Sequence, residues 1–513
     1  MKSVMQHNMA SIEGARVQRS VFDRTHGHKT TFDASDIVPF LVDEALPGDT
    51  FNVNASIFAR MSTPIYPIMD NLFLDVFYFA VPLRLVWDNF QKMMGEQIDP
   101  GDSIDYTIPQ MVSTAVTGYA AGSIHDYFGL PTEVPDLTHS ALFHRAYYLC
   151  WNEWWRDQNL QDSLIVPRDD GPDLPSEYAL QKRGKRHDYF TGCLPWPQKG
   201  DAISLPLGTS ADIHTAADTS ETINVYSDPQ AAQRDIYNPA STDVFIRGSL
   251  TDGANKLYAD LSDATAATIN ALRLSVQLQV MLERDARGGT RYVEIIKSHF
   301  GVTSPDARLQ RPEFLGGGTI PVNINPIAQQ SESGTTPQGT LAGIGTVAGG
   351  KGFTKSFVEH SIILGFVNVR ADLTYQSGLE RMWSRTTRYD FYFPALAHIG
   401  EQAVLNKEIY AQGTTADDDV FGYQERWAEL RYKPSKITGL FRSNHANSLD
   451  AWHLSQDFAS LPVLGDTFIT EAVPMARVEA VSTEPDFIFD SHIQMRCVRP
   501  LPIYSTPQLG GKM

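Results

Sequence analysis

Residues 71–81 read NLFLDVFYFAV, an almost unbroken run of aromatic, aliphatic and β-branched side chains closed by Pro82. The run is too short to cross a membrane as a helix, and its residue types suit a strand. Because apolar groups occupy both odd and even positions, it needs cover on both faces, so the fold must supply at least two packed layers. A different pattern stands just before it. After the turn Pro47-Gly48-Asp49, Phe51, Val53, Ala55 and Ile57 alternate with Asn52, Asn54 and Ser56, as in a strand with one buried and one wet face. Residues 357–375, 389–393 and 486–500 read as further strands. Helices are expected over 84–94, stopped by Gly95, over 138–162, and over 396–412, ending at Gly413. In the second, Phe143, Tyr147, Cys150 and Trp154 form a core-facing stripe with Arg145, Asn152 and Arg156 opposite. Leu272, Leu274, Val276, Leu278 and Val280 alternate like a strand, but Glu283 and Arg287 at i, i+4 followed by Gly288-Gly289 favour a helix.

With 513 residues the length prior is about three domains, or one heavily inserted domain. A 42% hydrophobic share, with 37 Gly and 30 Pro, excludes a disordered or collagen-like chain. No apolar stretch suits membrane insertion, and the first twenty residues lack the apolar core of a secretory signal. Cys150, Cys193 and Cys497 are odd in number and widely spaced, and read as reduced, buried side chains.

The net charge of −18 makes the chain as a whole repel nucleic acid and anionic membrane, so any contact with DNA must be local. The charge is uneven. Residues 1–32 form a basic arm at net +3, and the tail 491–513 carries Arg496, Arg499 and Lys512 with no acid. Residues 201–270 reverse this to net −7, and Ala, Thr, Ser and Asp make up 36 of those 70 residues, as expected of a solvated surface insertion. The Gly/Ser/Thr-rich stretch 329–352 reads as a second long loop outside the core. Strands linked by long excursions, with no βαβ alternation and no repeat, give an all-β core with elaborate loops.

Catalytic and metal motifs fail on inspection. GTVAGGKG from Gly345 has the spacing of a phosphate loop, but Gly352 stands where a magnesium-binding Ser or Thr is required. His26 and His28 lack a third ligand nearby and read as a solvated turn. Asp417-Asp418-Asp419 lacks the alternation of a calcium loop, and Asn54-Ala55-Ser56 is a formal glycosylation sequon inside an expected strand. No G-x-S-x-G or H-E-x-x-H is present. The expectation is no catalytic site, no metal and no cofactor; a soluble carbohydrate-active or carbohydrate-binding β protein is the competing class.

The positive signals are basic and aromatic mixtures, the side chains that neutralise phosphates and stack on bases. KRGKRHDYF places Lys182, Arg183, Lys185 and Arg186 beside Tyr189 and Phe190; a subunit-interface patch or a solvated loop reads equally from the same residues. Arg381, Trp383, Arg385 and Arg388 with Tyr389 form a second mixture, for which packing and carboxylate pairing are alternatives. Arg16, Arg19, Arg24 and Lys29 of the arm, with Arg496 and Arg499 of the tail, complete the nucleic-acid-contact candidates.

Longer strings carry a resemblance. VFDRTHGHKTTFDASDIVPF from Val21, DEALPGDTF from Asp43, DNLFLDVFYFAVPLRLVWDNF from Asp70 and KRGKRHDYFTGCLPWPQKG from Lys182 closely resemble the major capsid proteins of the gokushovirus branch of the Microviridae, small single-stranded DNA bacteriophages. So do ERDARGGTRYVEIIKSHFGVTSPDARLQRP from Glu283, RADLTYQSGLERMWSRTTRYDFYFPALAHIGEQAVLNKEIYAQG from Arg370 and GYQERWAELRYKPS from Gly422. The match runs nearly end to end and weakens in 201–270 and part of 329–352. The resemblance implies an eight-stranded antiparallel jelly roll of the viral capsid type over 33–513, with long inserted loops and a few helices. It implies a non-enzymatic subunit of a T=1 icosahedral shell of about sixty copies. Such a shell is assembled in the host bacterial cytoplasm and becomes a virion around circular single-stranded DNA. A small basic internal DNA-binding protein and a host surface receptor are the implied partners, with no membrane insertion. Residues 201–270 are then expected to form a protrusion on the threefold axes, three copies burying the short apolar islands Ile223, Val225 and Tyr226, and Val244, Phe245 and Ile246, against one another.

Overall fold

The computed structural model describes residues 18–201, 203, 213–215, 224–227, 232–237, 245–248, 257–259, 269–303, 310–332, 334 and 337–504. Among these, eight strands of seven residues or more form the frame: β1 (His26–Phe32), β2 (Val38–Ala45), β3 (Thr50–Met61), β4 (Leu72–Pro82), β5 (Glu313–Pro321), β6 (Leu341–Ser356), β7 (Ser361–Ala371) and β8 (Phe487–Arg499). They pair antiparallel into two sheets. One runs β1-β8-β3-β6, with Ser20–Asp23 continuing the β1 edge along β8 and Asn323–Ala328 added outside β6; the other runs β2-β7-β4-β5. Six of the seven steps between successive frame strands cross from one sheet to the other, and only β4 to β5 stays within a sheet. The chain divides into two compact units, Met1–Pro197 with Thr290–Met513, and Gln198–Gly289.

The alternation seen in the sequence sets which face is buried. Along β3, every second residue from Phe51 to Met61 is buried and the intervening Asn52, Asn54, Ser56, Phe58 and Arg60 are exposed. β8 repeats the pattern, so their inward side chains fill one core with Leu74, Val76 and Tyr78 of β4. β7 is buried at every position. Its Ile363, Val367 and Val369 enter the core between the sheets, while Ile362, Leu364 and Phe366 face a second core under helix α1 (Leu142–Trp154). The frame is therefore three layers, sheet, sheet and helix, which is the cover that residues 71–81 require.

Several expectations need correction. Helix α1 is shorter than 138–162, because Thr138–Ser140 is a strand paired with Gln110–Val112. Its polar side is not wet: Arg145 is fully buried, with Nη2 2.5 Å from Asp173 Oδ1 and 3.3 Å from Asp169 Oδ1. Residues 84–94 form two single turns, Leu83–Leu85 and Phe90–Met93. The helix expected over 396–412 is instead a strand, Glu401–Leu405, paired with Val420–Glu425 and followed by the single turn Asn406–Ile409; burial of Gln402 and Val404 has period two. The strand expected over 389–393 is a turn, Arg388–Asp390, capped by Thr387.

Residues 341–352 are not loop but part of β6, with Val347 fully buried. Two of its glycines sit at inward positions where a Cβ would meet another side chain, that of Met61 at Gly345 and that of Ile320 at Gly349. Gly349 thereby admits Ile320 from the facing sheet, and Gly345 admits Met61 of the neighbouring strand β3. The segment 272–280 lies in helix α2 (Ile269–Arg287), as its flanking charges and glycines indicated. In the second unit, the backbone of Asn224–Ser227, Ala232–Tyr237 and Phe245–Gly248 forms a three-stranded antiparallel sheet, and Ile213–Thr215 pairs with Leu257–Ala259.

One buried charge cluster ties the frame to its excursions. Asp75 of β4 accepts from Arg183 Nη1 and Arg370 Nε, each at 2.8 Å, and from Thr319 Oγ1 at 2.6 Å. Arg183 Nε lies 3.3 Å from Glu471, whose own backbone N–H donates to Arg183 O. Burial pushes the Glu471 carboxyl up to about 7. At the turn between β1 and β2 a second cluster holds Asp33, Asp36, Glu479 and Asp486. Asp486 accepts the Ala34 N–H at 2.8 Å, whereas the buried Glu479 carboxyl lies against Asp486 and its oxygens meet no N–H donor among the described residues. Burial first, and then the neighbouring acids, push Glu479 and Asp486 upward.

Two predictions follow from these clusters. Asp75→Asn keeps the shape but leaves two buried guanidinium groups short of a carboxylate, and should lower stability by about 3–5 kcal/mol in denaturant unfolding; a loss under about 1 kcal/mol would contradict the role given to Asp75. Because the Glu479 carboxyl is raised in the folded chain, its stabilising contribution is full at acid pH and is lost as pH climbs past the ordinary carboxylate range. Glu479→Gln should therefore gain about 1–3 kcal/mol over the parent in mild alkali and little near pH 4, read from paired melting curves.

Candidate nucleic-acid interface

The basic candidates fall into three places. The first is the edge where the ends of the described chain meet. Ser20 pairs with Arg499 and Asp23 with Arg496 across the sheet. Arg24 Nη1 lies 2.5 Å from Asp43 Oδ2, Lys29 Nζ lies 2.5 Å from Asp490 Oδ2, and Arg499 Nε lies 3.1 Å from the buried Asp49. Arg19 donates to Gly48 O and Thr50 Oγ1. Arg496 is exposed opposite Asp23, and Arg16 lies outside the described residues. The edge is basic in sequence, but the fold sets most of these cations beside local acids.

The second place is KRGKRHDYF, where alternate residues turn inward. Arg183 joins the Asp75 cluster, and Lys185 is 7% exposed, its Nζ 4.6 Å above the Phe468 ring. Burial pushes the Lys185 ammonium down to about 8. Tyr189 donates to Glu408 at 2.8 Å, and Phe190 packs with Tyr375 and Phe421 in a third core. Lys182 and Arg186 are exposed. Half of this motif is thus engaged in packing within its own unit.

The third place holds Arg381, Trp383 and Arg385, which line a cavity of about 570 Å³ between residues 375–385 and 429–442. Arg381 Nη1 donates to Glu408 at 3.0 Å and to Ala403 O at 2.7 Å. Glu380 receives two ammonium groups, from Lys433 and Lys436, each at 2.5 Å, and those bonds hold its carboxyl below the usual range. Arg385 lies 5.2 Å over the Phe391 ring, and Arg388, outside the cavity wall, 5.4 Å over Phe393. Trp383 is 70% exposed at the rim. The sequence reading missed Arg431, Tyr432, Lys433, Lys436 and Arg442, which complete the wall. For Arg431 and Lys433 the signal was present as cations flanking Tyr432 in the string from Gly422, whereas Lys436 and Arg442 lie beyond that string, and only the fold brings all of them against 381–385.

Of the insertion candidates, Ile223 and Val244 lie outside the described residues. Val225 and Tyr226 fall in Asn224–Ser227, and Phe245 and Ile246 in Phe245–Gly248, both paired with the strand Ala232–Tyr237. Among the described residues no group of three His, Cys, Asp or Glu side chains is placed to hold a metal ion, and no helix is long and apolar enough to cross a membrane. The cysteines Cys150, Cys193 and Cys497 are buried.

Comparison with known proteins supplies the family. The model of the phage capsid protein family, described as "Capsid protein (F protein)", matches residues 10–509. Capsid protein VP1 of Bdellovibrio phage phiMH2K is 48% identical over 99% of this chain and 98% of its own length. Capsid protein VP1 of Chlamydia phage 1 is 41% identical over 99% and 98%, and that of Spiroplasma virus 4 is 35% identical over 98% and 97%. The resemblance carried by the long strings and the family found by comparison are the same, and the chain belongs to the phage F capsid protein family as a structural major capsid protein.

Proposed function

We propose that this capsid protein builds a closed T=1 shell of about sixty copies around a circular single-stranded DNA genome, on a frame that is a viral jelly roll. The observation that carries the reading is the strand order: β1-β8-β3-β6 faces β2-β7-β4-β5, with successive strands alternating between the sheets except at β4 to β5. That order supports the double Greek key of a jelly roll. The two long excursions, 83–312 and 372–486, leave from this rigid frame and provide the unlike surfaces that an icosahedral subunit needs for its fivefold, threefold and twofold neighbours. The work is structural rather than catalytic, and assembly belongs in the host bacterial cytoplasm.

Sixty copies of a chain at −18 carry roughly a thousand negative charges, so the shell as a whole is no counter-ion for DNA. The reading therefore includes a separate small basic protein inside the particle. It also places in the lumen the terminal edge with Arg496, together with exposed cations such as Lys182 and Arg186. The unit Gln198–Gly289 is the proposed threefold protrusion and host-receptor surface, its islands packing against copies of themselves.

Mass measurement of purified DNA-free particles should give sixty copies at 57.0 kDa, about 3.4 MDa. Monodisperse monomers under assembly conditions would overturn the reading. Full particles should yield a small basic polypeptide beside this chain and DNA; its absence would sink the neutralisation argument. Replacing residues 211–264 by a short Gly/Ser linker should leave particles that assemble, lack threefold density and adsorb poorly to cells. Unchanged protrusions or adsorption would show that another segment does this work.

A further inference from the structure

We infer that the cavity walled by residues 375–385 and 429–442 binds one nucleotide of single-stranded DNA, its base stacked on Trp383 and its phosphate held among the wall cations. The inference rests on the reading that the shell encloses single-stranded DNA, and deepens it. The volume, about 570 Å³, is that of a small-ligand pocket.

Charge identifies the ligand as an anion. Arg381, Arg385, Arg431, Lys433, Lys436 and Arg442 line the cavity against three carboxylates, Glu380, Glu408 and Glu429, a local net of +3 in a chain of −18. The pairing within the wall does not remove the excess. Arg431 pairs with Glu425 just outside the wall, which brings the excess to two, and Glu380 is shared by two lysines, leaving one positive charge over. Arg442 donates only to a neutral acceptor, Gln376 O at 2.7 Å, and Arg385 meets a ring rather than a carboxylate. Phosphate is the group that such a set neutralises.

Stacking identifies the rest of the ligand. Trp87, Trp151, Trp155 and Trp427 are buried, yet Trp383 is 70% exposed at the cavity rim, with Tyr432 53% exposed in the same wall. Among the described residues Trp383 makes no ring-on-ring or cation–π contact, so its face is open to a planar partner. A simple carboxylate would use the cations and leave the indole idle; an uncharged sugar would do the reverse. A nucleotide uses both, and does so without regard to sequence, as a protein lining packed DNA requires.

The test has two arms. Ultraviolet cross-linking of intact particles followed by peptide mapping should place DNA adducts within 375–385 and 429–442. With the purified full-length chain, a labelled fifteen-nucleotide oligo-dT should bind about tenfold more weakly to Trp383→Ala, with most affinity kept by Trp383→Phe. The double variant Lys433→Gln, Lys436→Gln removes the one excess charge of that trio and should lower the slope of log affinity on log salt by about 0.7. Adducts confined to other peptides, or variants that bind as the parent does, would overturn the site while leaving genome enclosure intact. Particles that hold no DNA would overturn the enclosure reading itself.

Discussion

Asp75 is the side chain on which the rest of the molecule turns. It lies on the central strand β4, buried, and gathers Arg370 from β7, Arg183 from the first excursion and Thr319 from β5. Through Arg183 the same cluster reaches Glu471 in the second excursion. Two guanidinium groups and two carboxyls come out of water together, an arrangement that costs desolvation and returns it only when the geometry is kept. Such a cluster contributes registry more than net stability. It fixes where two long, loop-rich segments leave a rigid sheet.

From that anchoring the layers and surfaces follow. β7, buried along its whole length, feeds alternate side chains into the core between the sheets and into the core under α1. The inward Gly349 of β6 leaves room for Ile320 of β5, so the two sheets come close at that edge. The outward face of β3 is polar except for Phe58, while a denser set of exposed aromatic groups, Trp383, Tyr389, Phe391 and Tyr392, stands in the second excursion. A solitary soluble protein rarely exposes so many aromatic side chains in one short segment.

The frame was largely legible from the residues because period-two burial writes itself into residue type: Phe51 to Ile57, the run 71–81 and residues 486–500 were all recognisable as strands. Elements went wrong where composition and burial part company. Gly343 to Gly352 looked like a loop because glycine means freedom in solution, but at an inward β position it means a close neighbour. Arg145 looked like solvent-facing charge because nothing local announces Asp173, its buried partner. The candidate interface was half legible. Arg381, Trp383 and Arg385 were identified by type, but Lys433, Lys436 and Arg442 join them only through tertiary packing. In KRGKRHDYF the same residue types divide, Arg183 and Lys185 turning inward while Lys182 and Arg186 stay exposed.

A three-dimensional reconstruction of the assembled particle by electron cryo-microscopy tests the central claim most directly. The account predicts icosahedral order with sixty copies, and in each copy β1-β8-β3-β6 packed face to face on β2-β7-β4-β5. The unit Gln198–Gly289 should stand at the threefold axes and the terminal edge around Arg496 in the lumen. A particle in which these eight strands pair in another order, or in which the Gln198–Gly289 unit lies away from the threefold axes, would contradict it.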